Sequence, residues 1–246
     1  MNAAHDDESV LHWMHERARA IVQSMPTRNA SFALLGATRG IGRAVLDLAL
    51  ERGHRVRALV RPDSTLDALH PNLTLVPGDA TNPRDVATAL AGTEALLSTI
   101  GAPARSKHQV RTRAAEACVE AMRVTGVRRL IAVSVYGTGE TREHLPFFTR
   151  ALVFPLFLRR VIADHETQEA AIERSGLDWT LVRPPYLTEG PPTGDYAIDF
   201  GAQVSGLTWK ISRADVAHAM LGALEQRAYV RSAVGLSYRR SAAAAA

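Results

Sequence analysis

The chain of 246 residues carries 29 basic and 25 acidic side chains, a net charge of +4, and its 46% hydrophobic content supplies the apolar surface of one large α/β domain. The basic residues are spread along the sequence instead of gathered in a tract, which excludes a nucleic-acid-binding surface as its organising feature. A single cysteine, Cys118, excludes an internal disulfide and a cysteine metal cluster. Together with the acidic start "NAAHDDES" and the lack of an apolar run of the roughly 18–20 residues that a bilayer span needs, it predicts a cytoplasmic protein without integral membrane contact.

Within a first segment, 1–29, the apolar residues Val10, Trp13, Met14, Ala18, Ile21 and Met25 recur at helical spacing. They predict an amphipathic helix that packs on the main domain or on a second copy of the chain, so a homodimer stays open. From 30 to 240 the pattern becomes an alternation. The runs "FALLG", "HRVRALV", "LTLVPG", "EALLSTIG", "RRLIAVSV" and "DWTLVRP" read as strands, and the stretches between them have helical periodicity. Strands separated by helices predict right-handed crossovers and a mostly parallel, doubly wound sheet of Rossmann type. The stretch "LPFFTRALVFPLFLRRVI", 145–162, departs from this alternation because it is apolar nearly all round. It is read as a buried helix kinked at Pro155, or as a lid, a dimer face or a membrane-touching patch. Residues 212–226 predict a helix with Ser212 at the N-cap and Asp215 at N3. The closing residues, 241–246, read as a tail outside the fold.

Between the first run and the first helix stands "GATRGIG", with Gly36, Gly40 and Gly42, and with Thr38, Arg39 and Ile41 among them. A diphosphate has to approach the backbone closely, which glycine permits, and the helix that follows offers unpaired N–H groups and its positive end. The second run ends at Arg61, where the ribose of an adenosine half would lie; a guanidinium there can grip a 2′-phosphate. Arg39 adds a second cation. The expected coenzyme is therefore NADP(H), although Asp63 offers the ribose a carboxylate. In "PGDAT", Asp79 could accept from an adenine amino group with Ala80 beside it, and "STIGA" places Ile100 and Gly101 along the coenzyme; either could equally be ordinary loop chemistry.

These stretches, together with "RALVRP", "VRRLIAVSV", "ERSGLDWTLVRPPYLTEGPPTGDYAI" and "ISRADVAHAML", resemble the short-chain dehydrogenase/reductase superfamily over about 31–238. Within it the resemblance is to the atypical NAD(P)H-binding group that includes biliverdin-IXβ reductase (flavin reductase) and NmrA-like proteins. The resemblance implies a single-domain Rossmann fold and reduction of flavins, quinones, tetrapyrroles or other conjugated acceptors, while some relatives only sense the nucleotide. It places Ser134 as the active-site serine and Pro184, Pro185 and Tyr186 along the nicotinamide pocket. Two positions depart from the group's pattern: Arg39 stands where its middle glycine is usual, and Tyr186 stands where biliverdin-IXβ reductase has a histidine.

Ordinary superfamily members work through Tyr-x-x-x-Lys, the lysine lowering the tyrosine pKa. Four residues beyond the five tyrosines stand Glu140, Gly190, Phe200, Ala233 and Ala242, never lysine. What remains is hydride transfer to a hydrophobic conjugated small molecule, with Ser134 as hydrogen-bond donor or strand-end cap, Tyr186 as acid, donor or structural wall, and Tyr136 flanking the acceptor or packing. His165, on the helix where the lysine would stand, is a further catalytic candidate. A nucleotide sensor without turnover, and an isomerase or dehydratase using the nucleotide transiently, are the alternatives. No spacing of histidine and acidic residues suggests a metal.

Overall fold

The computed structural model describes residues 29–101, 109–144, 158–199 and 205–240. The helix predicted over 7–25, the 241–246 tail and residues 145–157 of the apolar stretch lie outside them. The described chain runs β1 (Ser31–Leu35), α1 (Gly40–Glu51), β2 (Arg55–Val60), β3 (Leu73–Pro77), α2 (Pro83–Leu90), β4 (Ala95–Ser98), α3 (Val110–Thr125) and β5 (Arg129–Val133). A 3₁₀ turn (Gly139–His144) follows, then α4 (Arg159–Glu173), β6 (Asp178–Arg183), β7 (Tyr186–Thr188), β8 (Ala197–Ile198), β9 (Lys210–Ser212), α5 (Arg213–Glu225) and β10 (Ser232–Ser237).

Eight strands form one sheet in the order β3-β2-β1-β4-β5-β6-β10-β8, parallel except for β8 against β10. All six predicted runs are strands in it, and the chain reverses direction across the sheet between β1 and β4. That reversal opens a crevice at the carboxyl ends of the strands, which is where open α/β sheets bind ligands.

The alternating side chains of each strand feed two apolar layers. Phe32, Leu34, Leu97 and Ile131 pack on one face with Val45 and Leu46 of α1 and Met220 and Leu221 of α5. Ala33, Leu35, Leu96 and Leu130 pack on the other with Val86 of α2 and Cys118 and Met122 of α3. Each fully buried Leu, Ile or Phe contributes about 1.5–3 kcal/mol. Cys118 is a packing residue, 1% exposed, and burial pushes its thiol up to about 12.

Sequence periodicity did not show the strands after β6. β7 and β9 make a separate parallel pair with Tyr186, Leu187 and Thr188 in register with Lys210, Ile211 and Ser212. These strands are only two or three residues long, too short for a period to register, and β10, "SAVGLS", is built of small residues around a glycine.

One carboxylate ties this region to the main sheet. Ser212 caps α5 by accepting from the Asp215 N–H at 3.0 Å, as expected of the N-cap. The Asp215 carboxylate in turn accepts from the N–H groups of Thr193 (2.8 Å) and Gly194 (2.9 Å) and from the hydroxyls of Thr193 (2.9 Å) and Tyr238 (2.5 Å). Burial alone would raise its pKa, but the bonds from Tyr238, Gly194 and Thr193 outweigh burial and hold it below the ordinary carboxylate value. A group so depressed stabilises the fold above its unfolded pKa and loses that contribution as the pH falls through the folded one. Asp215→Ala, which strands several buried donors, is expected to cost about 3 kcal/mol in urea unfolding at neutral pH. The gap from wild type should narrow as the pH drops below about 4.

Candidate active site

β1 ends at Leu35 and α1 starts at Gly40, so four residues turn the chain from strand to helix. Gly36 adopts φ +88°, and a Cβ on it would lie 2.7 Å from Thr99 Oγ1. A Cβ on Gly42 would lie 2.0 Å from the Gly36 carbonyl oxygen and 2.4 Å from Thr99 Oγ1. Thr99, just beyond β4, donates both its N–H (3.0 Å) and its hydroxyl (2.8 Å) to the Leu35 carbonyl. Loop, first helical turn and the end of β4 are thus in direct contact through missing side chains.

Gly40 differs: it has φ +60°, and the nearest neighbours of a Cβ there are Arg213 side-chain atoms at 3.8 and 3.9 Å. The start of α1 carries no acidic residue, and its N-cap residue, Arg39, makes no side-chain cap bond. By contrast α2 has Asn82 and Asp85, and α5 has Ser212 and Asp215. Among the described residues the positive end of α1 is left uncompensated beside an open glycine, a cradle that fits a diphosphate. Thr38 and Ile41 flank it, both half-buried.

Farther along the same edge, Arg61 follows β2, and Gly78 N–H bonds the Val60 carbonyl at 3.0 Å, bringing the loop of Asp79 beside it. Arg61 is 64% exposed and faces Asp63 across 3.5 Å. One Asp79 carboxylate oxygen accepts from the Thr81 N–H (2.8 Å) and hydroxyl (3.0 Å), so this side chain carries a local turn. Ala80 and Ile100 pack against the α2/α3 layer, and Gly101 is open to solvent.

On the other side of the crevice the fold brings together two residues 31 apart in sequence. Ser134 directly follows β5, its N–H on the Val182 carbonyl at 2.8 Å, and its Oγ lies 3.3 Å from Nδ1 of His165 on α4. Both are buried, at 4% and 7% exposure. Desolvation, and then the charge of Arg111, push the His165 pKa down to about 4. A neutral ring has one donor and one acceptor nitrogen, so Nδ1 either takes the serine hydrogen or gives its own to the serine oxygen.

What aims His165 is its neighbour. Asp164 accepts from the N–H of Thr112 (3.0 Å) and of Arg111 (3.3 Å) and from the Thr112 hydroxyl (2.8 Å), closing the open start of α3. Burial would raise its pKa, but these bonds hold it low. α4 is thereby pinned to α3 one residue before His165.

Pro184 is buried, and its carbonyl accepts from the Tyr136 N–H at 3.0 Å; Pro185 is half-buried. Tyr136 packs: its ring meets Trp209 at 5.0 Å, its hydroxyl meets His144 Nδ1 at 2.8 Å, and burial followed by the charge of Glu140 lifts its pKa to about 12. Tyr186 is 70% exposed and stands in register with Lys210. Its phenol makes no hydrogen bond to Ser134 or His165. A cleft of about 600 Å³ lined by Arg129, Asp178 and Gln226 opens at the amino-terminal ends of the strands, and none of the predicted site residues lines it.

An NAD(P)H-binding family model matches residues 36–227, starting on the first glycine of the loop. The chain belongs to this NAD(P)H-binding family. A curated relative, the Bacillus subtilis protein named uncharacterized sugar epimerase YhfK, is 28% identical over 202 residues, covering 79% of this chain and 87% of its own. Among solved structures, ChuY, an anaerobilin reductase of Escherichia coli O157:H7, superposes with a TM-score of 0.66 at 23% identity, over 84% of this chain and 96% of its own. A short-chain dehydrogenase/reductase from Veillonella parvula, solved with NADP, reaches 0.69 at 19% identity over 87% and 99%. The expected Rossmann fold is the fold these NAD(P)H-binding family members and structures share.

Sequence reading passed over Thr99, Asp164 and Arg213 as site residues. Thr99 lay inside the quoted "STIGA". Arg213 carried a signal of its own, a cation placed directly after an N-cap where helix electrostatics disfavour it.

Two outcomes follow from this geometry. Gly42→Ala must displace the loop or the helix, so lower thermal stability and lost coenzyme binding are expected together in calorimetry. The ring of His165 should show no NMR titration from pH 9 down to about 5. Because its folded pKa is lowered, the stability it contributes is complete above its unfolded value near 6.5 and is lost as the pH falls toward about 4.

Proposed function

We propose that the protein is an NADPH-dependent reductase of a hydrophobic conjugated small molecule, such as a flavin, quinone, tetrapyrrole or polyketide-like ring. The observation that carries this reading is the Ser134–His165 pair, buried at the same strand edge as an uncapped, glycine-lined helix start. The reduced nicotinamide, when bound, supplies a hydride, and the acceptor takes its proton from solvent.

Gly36, Gly40 and Gly42 would hold the diphosphate, with Thr38, Arg39 and Ile41 around it. Arg61 selects the 2′-phosphate: its exposed pairing with Asp63 is worth only about 0–1 kcal/mol and yields to a bidentate phosphate contact. Asp79, Ala80, Ile100 and Gly101 run along the adenine and ribose side, and Pro184 and Pro185 wall the nicotinamide.

At the acceptor, Ser134 is the catalytic donor. His165 is a positioning residue: in the tautomer with hydrogen on Nδ1 it donates to the serine oxygen and leaves the serine hydrogen for an acceptor oxygen. Kept neutral by burial, the ring serves this purpose over the whole physiological range. Tyr186, exposed at the rim, supplies a second donor or a stacking surface.

Absence of Tyr-x-x-x-Lys from the sequence supports an acceptor that needs no tyrosinate relay. The fold shared with a protein named an anaerobilin reductase supports including a tetrapyrrole in any trial. The relative named as a sugar epimerase favours a second reading, isomerisation with transient use of the nucleotide.

The test is NADPH consumption with flavin, quinone and tetrapyrrole acceptors. Turnover is expected with NADPH over NADH, with Arg61→Ala erasing that preference. Ser134→Ala should lower kcat by about 10²-fold or more. His165→Asn, which keeps a donor, should lower it less than His165→Ala. Product without net coenzyme oxidation would favour the isomerase, and turnover unchanged in Ser134→Ala would remove the serine from the chemistry.

A further inference from the structure

Arg213 opens α5, the helix that shares an apolar layer with α1. Both helices begin at the carboxyl edge of the sheet, and the Arg213 side chain reaches the glycine loop. Its Nε lies 3.8 Å and its Cδ 3.9 Å from the place of a Cβ on Gly40, and among the described residues beyond Gly40's own helix and chain neighbours no other residue comes within 4 Å of that point. On its far side the guanidinium pairs through Nη1 with Glu189 and bonds the Thr188 carbonyl at 3.4 Å. Glu189 is 85% exposed, and the Arg213 side chain is 32% exposed.

A cation at the first position of a helix opposes the helix dipole, an arrangement that a bound anion would offset. An exposed carboxylate is a weak partner in water. A phosphate offers the planar fork two oxygens and more charge, and a charge-assisted bidentate bond of that kind is the stronger one. Relaxing Arg213 from Glu189 toward Gly40 would bring it over the uncapped start of α1.

We propose that Arg213 grips the coenzyme diphosphate from above the glycine loop, and that Glu189 is the stand-in partner it gives up when nucleotide binds. This rests on the NAD(P)H-binding reading of the loop. It makes the uncapped positive end of α1 and one guanidinium converge on a single dianionic bridge. Because Glu189 directly follows β7, the exchange also links the diphosphate to the strand that begins at Tyr186.

The diphosphate is common to NADP⁺ and NAD⁺, which separates Arg213 from Arg61 in one experiment. Isothermal titration of the full chain with each coenzyme should show Arg213→Ala weakening both by the same factor, about 10- to 100-fold. Arg213→Lys, which keeps the charge and loses the fork, should fall between it and wild type. Arg61→Ala should weaken NADP⁺ alone. Glu189→Gln, on an exposed side chain, should tighten both coenzymes by roughly 2- to 5-fold, an effect expected to vanish in the Arg213→Ala background. If Arg213→Ala melts early and binds both coenzymes like wild type, Arg213 is a structural brace and the proposal fails. Should Arg213→Ala not fold, unchanged affinity in Glu189→Gln overturns it. Wild type that binds neither coenzyme removes the NAD(P)H-binding reading first, and this one with it.

Discussion

The architecture depends on one close approach, that of the first turn of α1 to the Gly36 carbonyl. With no Cβ on Gly42, the helix seats directly on the turn that leaves β1, and Thr99 clamps the arrangement from β4. A single methyl group there would have to push apart two backbones and a threonine, none of which is the free end of a flexible side chain. Seating the helix this way points its first N–H groups into the crevice where the strand order reverses. The phosphate cradle is therefore a product of packing, and the glycines serve fold and ligand through the same missing atoms.

Two carboxylates extend that order outward. Asp164 closes the start of α3 from α4, and Asp215, within α5, gathers the 193–194 loop and Tyr238. Each is buried, and each is held ionised by donors that would otherwise lack partners. The first fixes the wall on which His165 stands. The second fixes the helix from which Arg213 projects. His165, which positions the serine, and Arg213 are thus each set by a carboxylate one or two positions away.

The glycine loop was legible because its position, after an apolar run and before a helical stretch, narrows the meaning of three glycines. The position of Arg61, directly after the second strand, was legible for the same reason. The pairing of Ser134 with His165 was not, since 31 residues separate them and the contact exists only once α4 is pinned to α3. Counting four residues on from each tyrosine found no lysine, yet Lys210 stands in register with Tyr186 across a strand pair too short to leave a periodic trace. Local rules captured strands β1 to β6 of the sheet, while long-range contacts decided which side chains meet.

The other margin of the sheet carries a consequence of its own. Among the described residues β3 is the outermost strand on that side, and it ends in Pro77. Gly78 turns its N–H inward to Val60, so by strand alternation the nitrogen of Pro77 faces outward. The donor that proline lacks is one a foreign strand would have needed. An imino acid at that spot guards the open flank against edge-to-edge stacking of neighbouring molecules, leaving the opposite flank to be closed by the short antiparallel β8.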